Sequence, residues 1–106
     1  MKITKLEEYY RGWFIGNFEP ACYKTKSFEV GLLTHKKGEF WAPHIHKIAT
    51  EINLLVEGEM IMNDKEIQKG DIFIIDPNET ATPIFITDCK ILVIKTPSLP
   101  EDKYNV

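Results

Sequence analysis

His44, His46 and Glu51 lie within a short apolar stretch of the chain, and their types and spacing suit the binding of a divalent metal ion. Residues two apart on an extended strand project to the same face, so His44 and His46 present two imidazoles side by side while Ile45 turns away. The connection Lys47 to Thr50 leads into a second extended run, and an antiparallel return sets the Glu51 carboxylate opposite the rings. Two neutral imidazoles and one carboxylate on one side of an ion leave its other positions open. That is the facial triad of non-haem iron, and manganese, nickel, zinc or copper can take the same donors. Glu51 is also the candidate catalytic group, as ligand or, if the ion sits away from it, as base. The competing reading of the three residues is a buried hydrogen-bond network without metal.

The elements that must position these groups read as strands. Turn-forming residues recur at short intervals, and runs rich in β-branched and aromatic residues lie between them, an all-β pattern. The expected strands are Gly12 to Phe18, Phe28 to His35, Ala42 to His46, Glu51 to Glu57, Glu59 to Met62, Ile72 to Ile75, Ala81 to Ile86 and Cys89 to Lys95. The expected reversals fall at Lys36-Lys37-Gly38, Glu57-Gly58, Asn63-Asp64, Lys69-Gly70-Asp71, Pro77-Asn78-Glu79 and Thr87-Asp88. One short helix is expected near the start, where Thr4 and Glu7 read as a capping box ended by Gly12. Pro97 and Pro100 mark an extended surface tail from Thr96 to Val106, long enough to cover a barrel mouth or a neighbouring subunit. Asn53 and Leu55 share a face with Glu51, so they are candidate pocket residues. Phe40, Trp41, Phe73 and Phe85 suit either pocket wall or plain core, and Arg11 with Trp13 suits an anionic ligand or a dimer contact.

Gly38, His44, His46, Glu51 and Gly58 match every specified position of the first signature motif of the cupins, which the segment therefore resembles. The resemblance covers about residues 28 to 95. It implies one small domain over residues 1–106, an antiparallel β-barrel of jelly-roll type, with the N-terminal segment and the tail packed on it. The second cupin motif opens well with Gly70-Asp71, the run Ile72 to Ile75 and Asp76-Pro77-Asn78. It then departs, because the fourth metal ligand of the family would fall at Ala81. Three outcomes stay open: water or substrate completes a three-ligand site, Glu79 or His35 substitutes, or no metal binds. Glu79 is also carried as a pocket candidate.

Composition narrows the function classes. The 106 residues carry 13 basic and 16 acidic side chains, a net charge of −3, with no basic cluster of the kind nucleic-acid phosphates attract. Apolar runs such as Ile91 to Ile94 fall far short of the roughly 20 residues that span a bilayer. No secretory pattern opens the chain, so the cytoplasm is the expected compartment, with Cys22 and Cys89 as reduced thiols. The readings that remain are a metal-dependent enzyme on a small organic molecule, such as an oxygenase or an isomerase or epimerase, and a non-catalytic binder of a sugar or nucleotide with a degenerate metal site. A homodimer formed through the barrel edges is the expected assembly, because exposed strand edges need covering.

Overall fold

A computed structural model describes all residues, 1–106. Strands follow one another as β1 (Trp13–Gly16), β2 (Tyr23–Lys24), β3 (Glu29–His35), β4 (His44–Ile45), β5 (Thr50–Glu57), β6 (Glu59–Met62), β7 (Lys65–Gln68), β8 (Ile72–Ile75), β9 (Pro83–Phe85), β10 (Cys89–Thr96) and β11 (Tyr104–Asn105). One six-stranded sheet has the order β2-β1-β3-β10-β5-β8. Facing it, β7-β6-β9 and β11-β4 form two smaller sheets. These two are joined where His44 and Ala81 exchange backbone hydrogen bonds of 3.3 and 2.8 Å. The result is a jelly-roll β-barrel, all-β as the turn spacing indicates and of the type the motif resemblance implies.

Local chemistry explains the reversals. Asn63 and Asp64 both adopt positive φ, 52° and 64°, the backbone of a tight two-residue hairpin between β6 and β7. Gly58 turns the chain from β5 into β6 at φ 97°, where a Cβ would lie 2.4 Å from the Asp88 carbonyl oxygen. Only glycine fits there.

Within the barrel the strands alternate. Leu55, Met60, Phe85, Cys89, Ile91 and Val93 form the fully buried core, flanked by Trp13, Leu33, Trp41, Met62, Ile67 and Phe73. The backbone of β8 is a sheet edge, and its Ile72 and Ile74 side chains are exposed.

One expectation needs correction. In place of an N-terminal helix there are two 3-10 turns, Leu6–Glu8 and Tyr10–Gly12. The Lys5 backbone N–H donates to Glu8 Oε2 at 3.1 Å, closing a single turn, and Arg11 at φ 53° stops any continuation. The tail packs on the barrel. Ser98 is buried, its N–H donates to the Lys26 carbonyl at 3.0 Å, and its hydroxyl oxygen accepts the Asn17 N–H at 2.8 Å. The chain then adds β11 antiparallel to β4, directly beside the histidine strand.

Candidate functional site

Strand register sorts the inward side chains into rungs. Glu29 of β3 stands opposite Lys95 of β10, Lys95 opposite Glu51 of β5, and Glu51 opposite Ile75 of β8. One rung further in, Val93 faces Asn53, and beyond it Ile91 faces Leu55. Charge therefore concentrates at one end of the six-stranded sheet, with an apolar floor behind it. On the facing wall, β4 carries His44 and His46 follows directly after it, both buried, with ring centroids 5.4 Å apart.

Hydrogen bonds to backbone carbonyls settle which nitrogen of each ring carries hydrogen. A carbonyl oxygen only accepts, so His46 Nδ1, 2.7 Å from the Asp102 carbonyl, is the N–H. His44 Nδ1 is held the same way by the Ala42 carbonyl at 3.3 Å. Both Nε2 atoms are then lone pairs while the rings are neutral. Burial pushes both histidine pKa values down; Lys95 adds to the effect at His46, and Glu51 opposes it there only in part. His46 Nε2 is buried without a hydrogen-bond partner, and the nearest carboxylate oxygen, Glu51 Oε1, is 3.5 Å away. One acceptor thus faces another, an arrangement that a cation between them would relieve. Glu51 Oε2 accepts the Asn53 amide at 3.1 Å, and Lys95 Nζ lies 4.0 Å from Oε1. No group of three or more His, Cys, Asp or Glu side chains meets full metal-ligand spacing, so the donors are neighbours without a closed shell.

The site opens into a cavity of about 410 Å³ inside the barrel, lined among others by His44, Glu51, Asn53, Trp41, Phe73 and Phe85. Ala81 also lines it; as the backbone partner of His44, it sets a methyl group where the fourth cupin ligand would stand. The remaining sequence candidates divide. Leu55 is wholly buried in the apolar core and is not part of the cavity wall. Glu79 is exposed, and its Oε1 accepts the Asp76 N–H at 3.0 Å, closing the turn outside the barrel. The Asn78 backbone, at φ 68°, keeps residue 79 within that turn, so Glu79 neither lines the pocket nor stands in for the missing ligand. His35 does line the cavity, but it lies six residues along β3 from the Glu29 rung, about 20 Å of strand. Its Nδ1 donates to Glu39 Oε2 at 2.6 Å, and its ring stacks on Phe85. Phe40 points outward, 84% exposed.

Three contributors escape a reading of the sequence alone. Lys95 shares strand parity with Ile91 and Val93, which marks it as inward-facing; its position opposite Glu51 follows from register. Lys103, on the tail, reaches the cavity and sits 4.1 Å from the Trp41 ring centroid. Asp102 fastens the tail to the loop after His46: its carboxylate accepts the backbone N–H groups of Lys47, Ile48 and Ala49 at 2.9 to 3.0 Å. Burial alone would raise the Asp102 pKa, but these three bonds outweigh it and hold the carboxyl below its ordinary range.

Comparison with solved structures defines the fold. The chain is similar to an uncharacterized protein with a double-stranded β-helix domain from Klebsiella pneumoniae, at 18% identity and TM-score 0.68, covering 92% of this chain and 85% of that one. It is also similar to the DMSP lyase DddQ from Ruegeria pomeroyi, at 17% identity and TM-score 0.73, covering 89% of this chain but 49% of the lyase. A cupin-2 domain protein from Shewanella frigidimarina matches at 21% identity and TM-score 0.56, covering 68% of this chain and 72% of that one. No family sequence model and no curated protein sequence matches the chain. The fold is that of the cupin superfamily. No helix is long and apolar enough to cross a membrane.

Removing the Asp102 carboxylate strands three backbone donors, so Asp102→Ala should cost about 2–3 kcal/mol at neutral pH, measured by urea denaturation. Because the folded-state pKa is depressed, this stabilisation is present above the unfolded value, about 3.9, and is lost as pH falls through the folded one. The gap between wild type and variant should therefore close below about pH 4. An equal gap at pH 7 and pH 3 would contradict this role.

Proposed function

We propose that the protein is a metal-dependent cupin that binds, and through its metal transforms, a small organic molecule in the barrel. The single observation that carries this reading is the unpartnered, buried Nε2 of His46 aimed at the Glu51 carboxylate. His44 Nε2, His46 Nε2 and Glu51 would hold a divalent transition metal, with the open side toward the cavity where Ala81 supplies no ligand. Such an ion acts as a Lewis acid toward substrate oxygens. The chain's own part is orientation. Carbonyls of Ala42 and Asp102 fix the ring tautomers, Asn53 steadies one Glu51 oxygen, and the wall of Trp41, Phe73 and Phe85 excludes water from the ligand. Glu51 is placed to hold a proton at Oε1 if it is released from the metal. One structurally similar protein is named a lyase, which agrees with chemistry on a small molecule without specifying the reaction here.

A second reading is favoured by one observation. Lys95 Nζ stands 4.0 Å from Glu51 Oε1, so an ammonium could supply the missing positive charge and leave a metal-free binding cavity. For assembly we propose a homodimer through the β8 edge, whose exposed Ile72 and Ile74 a second copy would cover.

Protein purified without chelators should contain close to one equivalent of transition metal by plasma emission spectrometry, and His46→Ala should lose it. Ala81→His, which supplies the absent ligand, should tighten metal binding by about tenfold or more. Absence of metal in wild type, with none taken up on titration, would leave the Lys95 reading in its place. Sedimentation velocity should show dimers that Ile72→Lys converts to monomers; a monomeric wild type would rule that assembly out.

A further inference from the structure

Six charged side chains line the cavity: Arg11, Glu19, Glu29, Glu51, Lys95 and Lys103. Their charges do not balance where it matters. Glu19 is drawn outward, 3.0 Å from Lys24 Nζ, in an exposed pair. Glu29 is buried opposite Lys95; burial pushes its carboxyl pKa up against the opposing pull of Lys95 and Ser98, and its Oε1 has no hydrogen-bond partner. Glu51 is shared between His46 and Lys95 and is the carboxylate we assign to the metal.

The cations are left in surplus. Neither Arg11 nor Lys103 has a carboxylate within 4.0 Å. The two lysines rest on aromatic faces, Lys103 Nζ at 4.1 Å from the Trp41 centroid and Lys95 Nζ at 5.0 Å from that of Trp13. Those rings hold an ammonium in place without neutralising it. The two ammoniums also feel each other: after burial, Lys95 is the main influence lowering the Lys103 pKa. Two lysines seated on tryptophans at one open cavity, with the Glu51 carboxylate turned to the histidines, form a receptor for negative charge.

We propose that the ligand of this cavity is a small organic acid, bound as its anion with a carboxylate held by Lys95 and Lys103 and with Arg11 at the mouth. This inference rests on the preceding reading only in placing the ligand beside the metal; the lysines would recognise the anion without one. A metal at His44, His46 and Glu51 would draw Glu51 away from Lys95 and add positive charge, strengthening the preference.

Trp13 and Trp41 lie beneath the two ammoniums, so intrinsic fluorescence reports on the site. The probes are malonate, succinate and phosphate, with malonamide as the uncharged counterpart of malonate, titrated at fixed ionic strength with the metal content of each sample measured in parallel. At least one organic dianion should give a saturable change that malonamide does not reproduce. Lys103→Met should weaken it by about tenfold or more, the loss of one charged contact. Lys103 is exposed, so this variant should stay folded, and Lys65→Met on β7, outside the cavity, should bind as wild type does. The proposal is overturned if no anion titrates, if malonamide matches malonate, or if Lys103→Met is without effect. Metal retained with no anion binding would defeat this inference and spare the metal reading. Anion binding in metal-free protein would do the reverse.

Discussion

The site is organised around a confrontation of two acceptors: the lone pair of a neutral, buried His46 Nε2 and the carboxylate of Glu51, 3.5 Å apart with no hydrogen between them. The backbone dictates it. Because the Asp102 carbonyl can only accept, it takes the Nδ1 hydrogen and leaves Nε2 bare. Protonating the ring would resolve the conflict, but burial and the nearby Lys95 both oppose the imidazolium. A buried polar atom left in this state costs stability that a fold keeps only where something else repays it, which is the physical basis for assigning a cation to the gap.

The rest of the barrel serves this arrangement. Adjacent strands β3, β10 and β5 align Glu29, Lys95 and Glu51 into one charged rung over an apolar floor. The tail contributes at long range: Asp102 binds three successive backbone N–H groups after β4 and holds His46 through its own carbonyl, while Lys103 comes to the cavity. A segment following two prolines thus anchors the histidine loop and supplies part of the cavity wall. Burial is the main cause that keeps the histidines neutral, and Lys103 stands near them without a carboxylate partner, so the proposed metal and anion sites would share one end of the cavity.

Much of the architecture was legible because its causes are local. Alternation and turn residues locate the longer strands, and a period of two puts His44 and His46 on one face. The strands that escape reading are β2, β7 and β11. Lys65-Glu66-Ile67-Gln68 is mostly polar and Tyr104-Asn105 is too short to signal a strand, so their extended form becomes evident only from pairing with β6 and β4. Position 81 could be placed opposite the histidines by family resemblance, and its backbone does pair with His44. Glu79 would join the pocket only if the following strand began early; instead its carboxylate closes the turn at Asp76 and stays exposed. Lys95 could be turned inward by parity, but not set beside Glu51, since register is a property of two strands. Lys103 and Asp102 needed the tail's return across more than fifty residues of chain, which no local pattern encodes.

Anomalous diffraction from crystals grown with cobalt(II) addresses the central claim most directly. A cation between the facing acceptors should appear as a single strong peak within about 2.0–2.2 Å of His44 Nε2, His46 Nε2 and a Glu51 oxygen, with Lys95 displaced from that carboxylate. Density showing the Lys95 ammonium on Glu51, and no anomalous peak at the histidines, would contradict it.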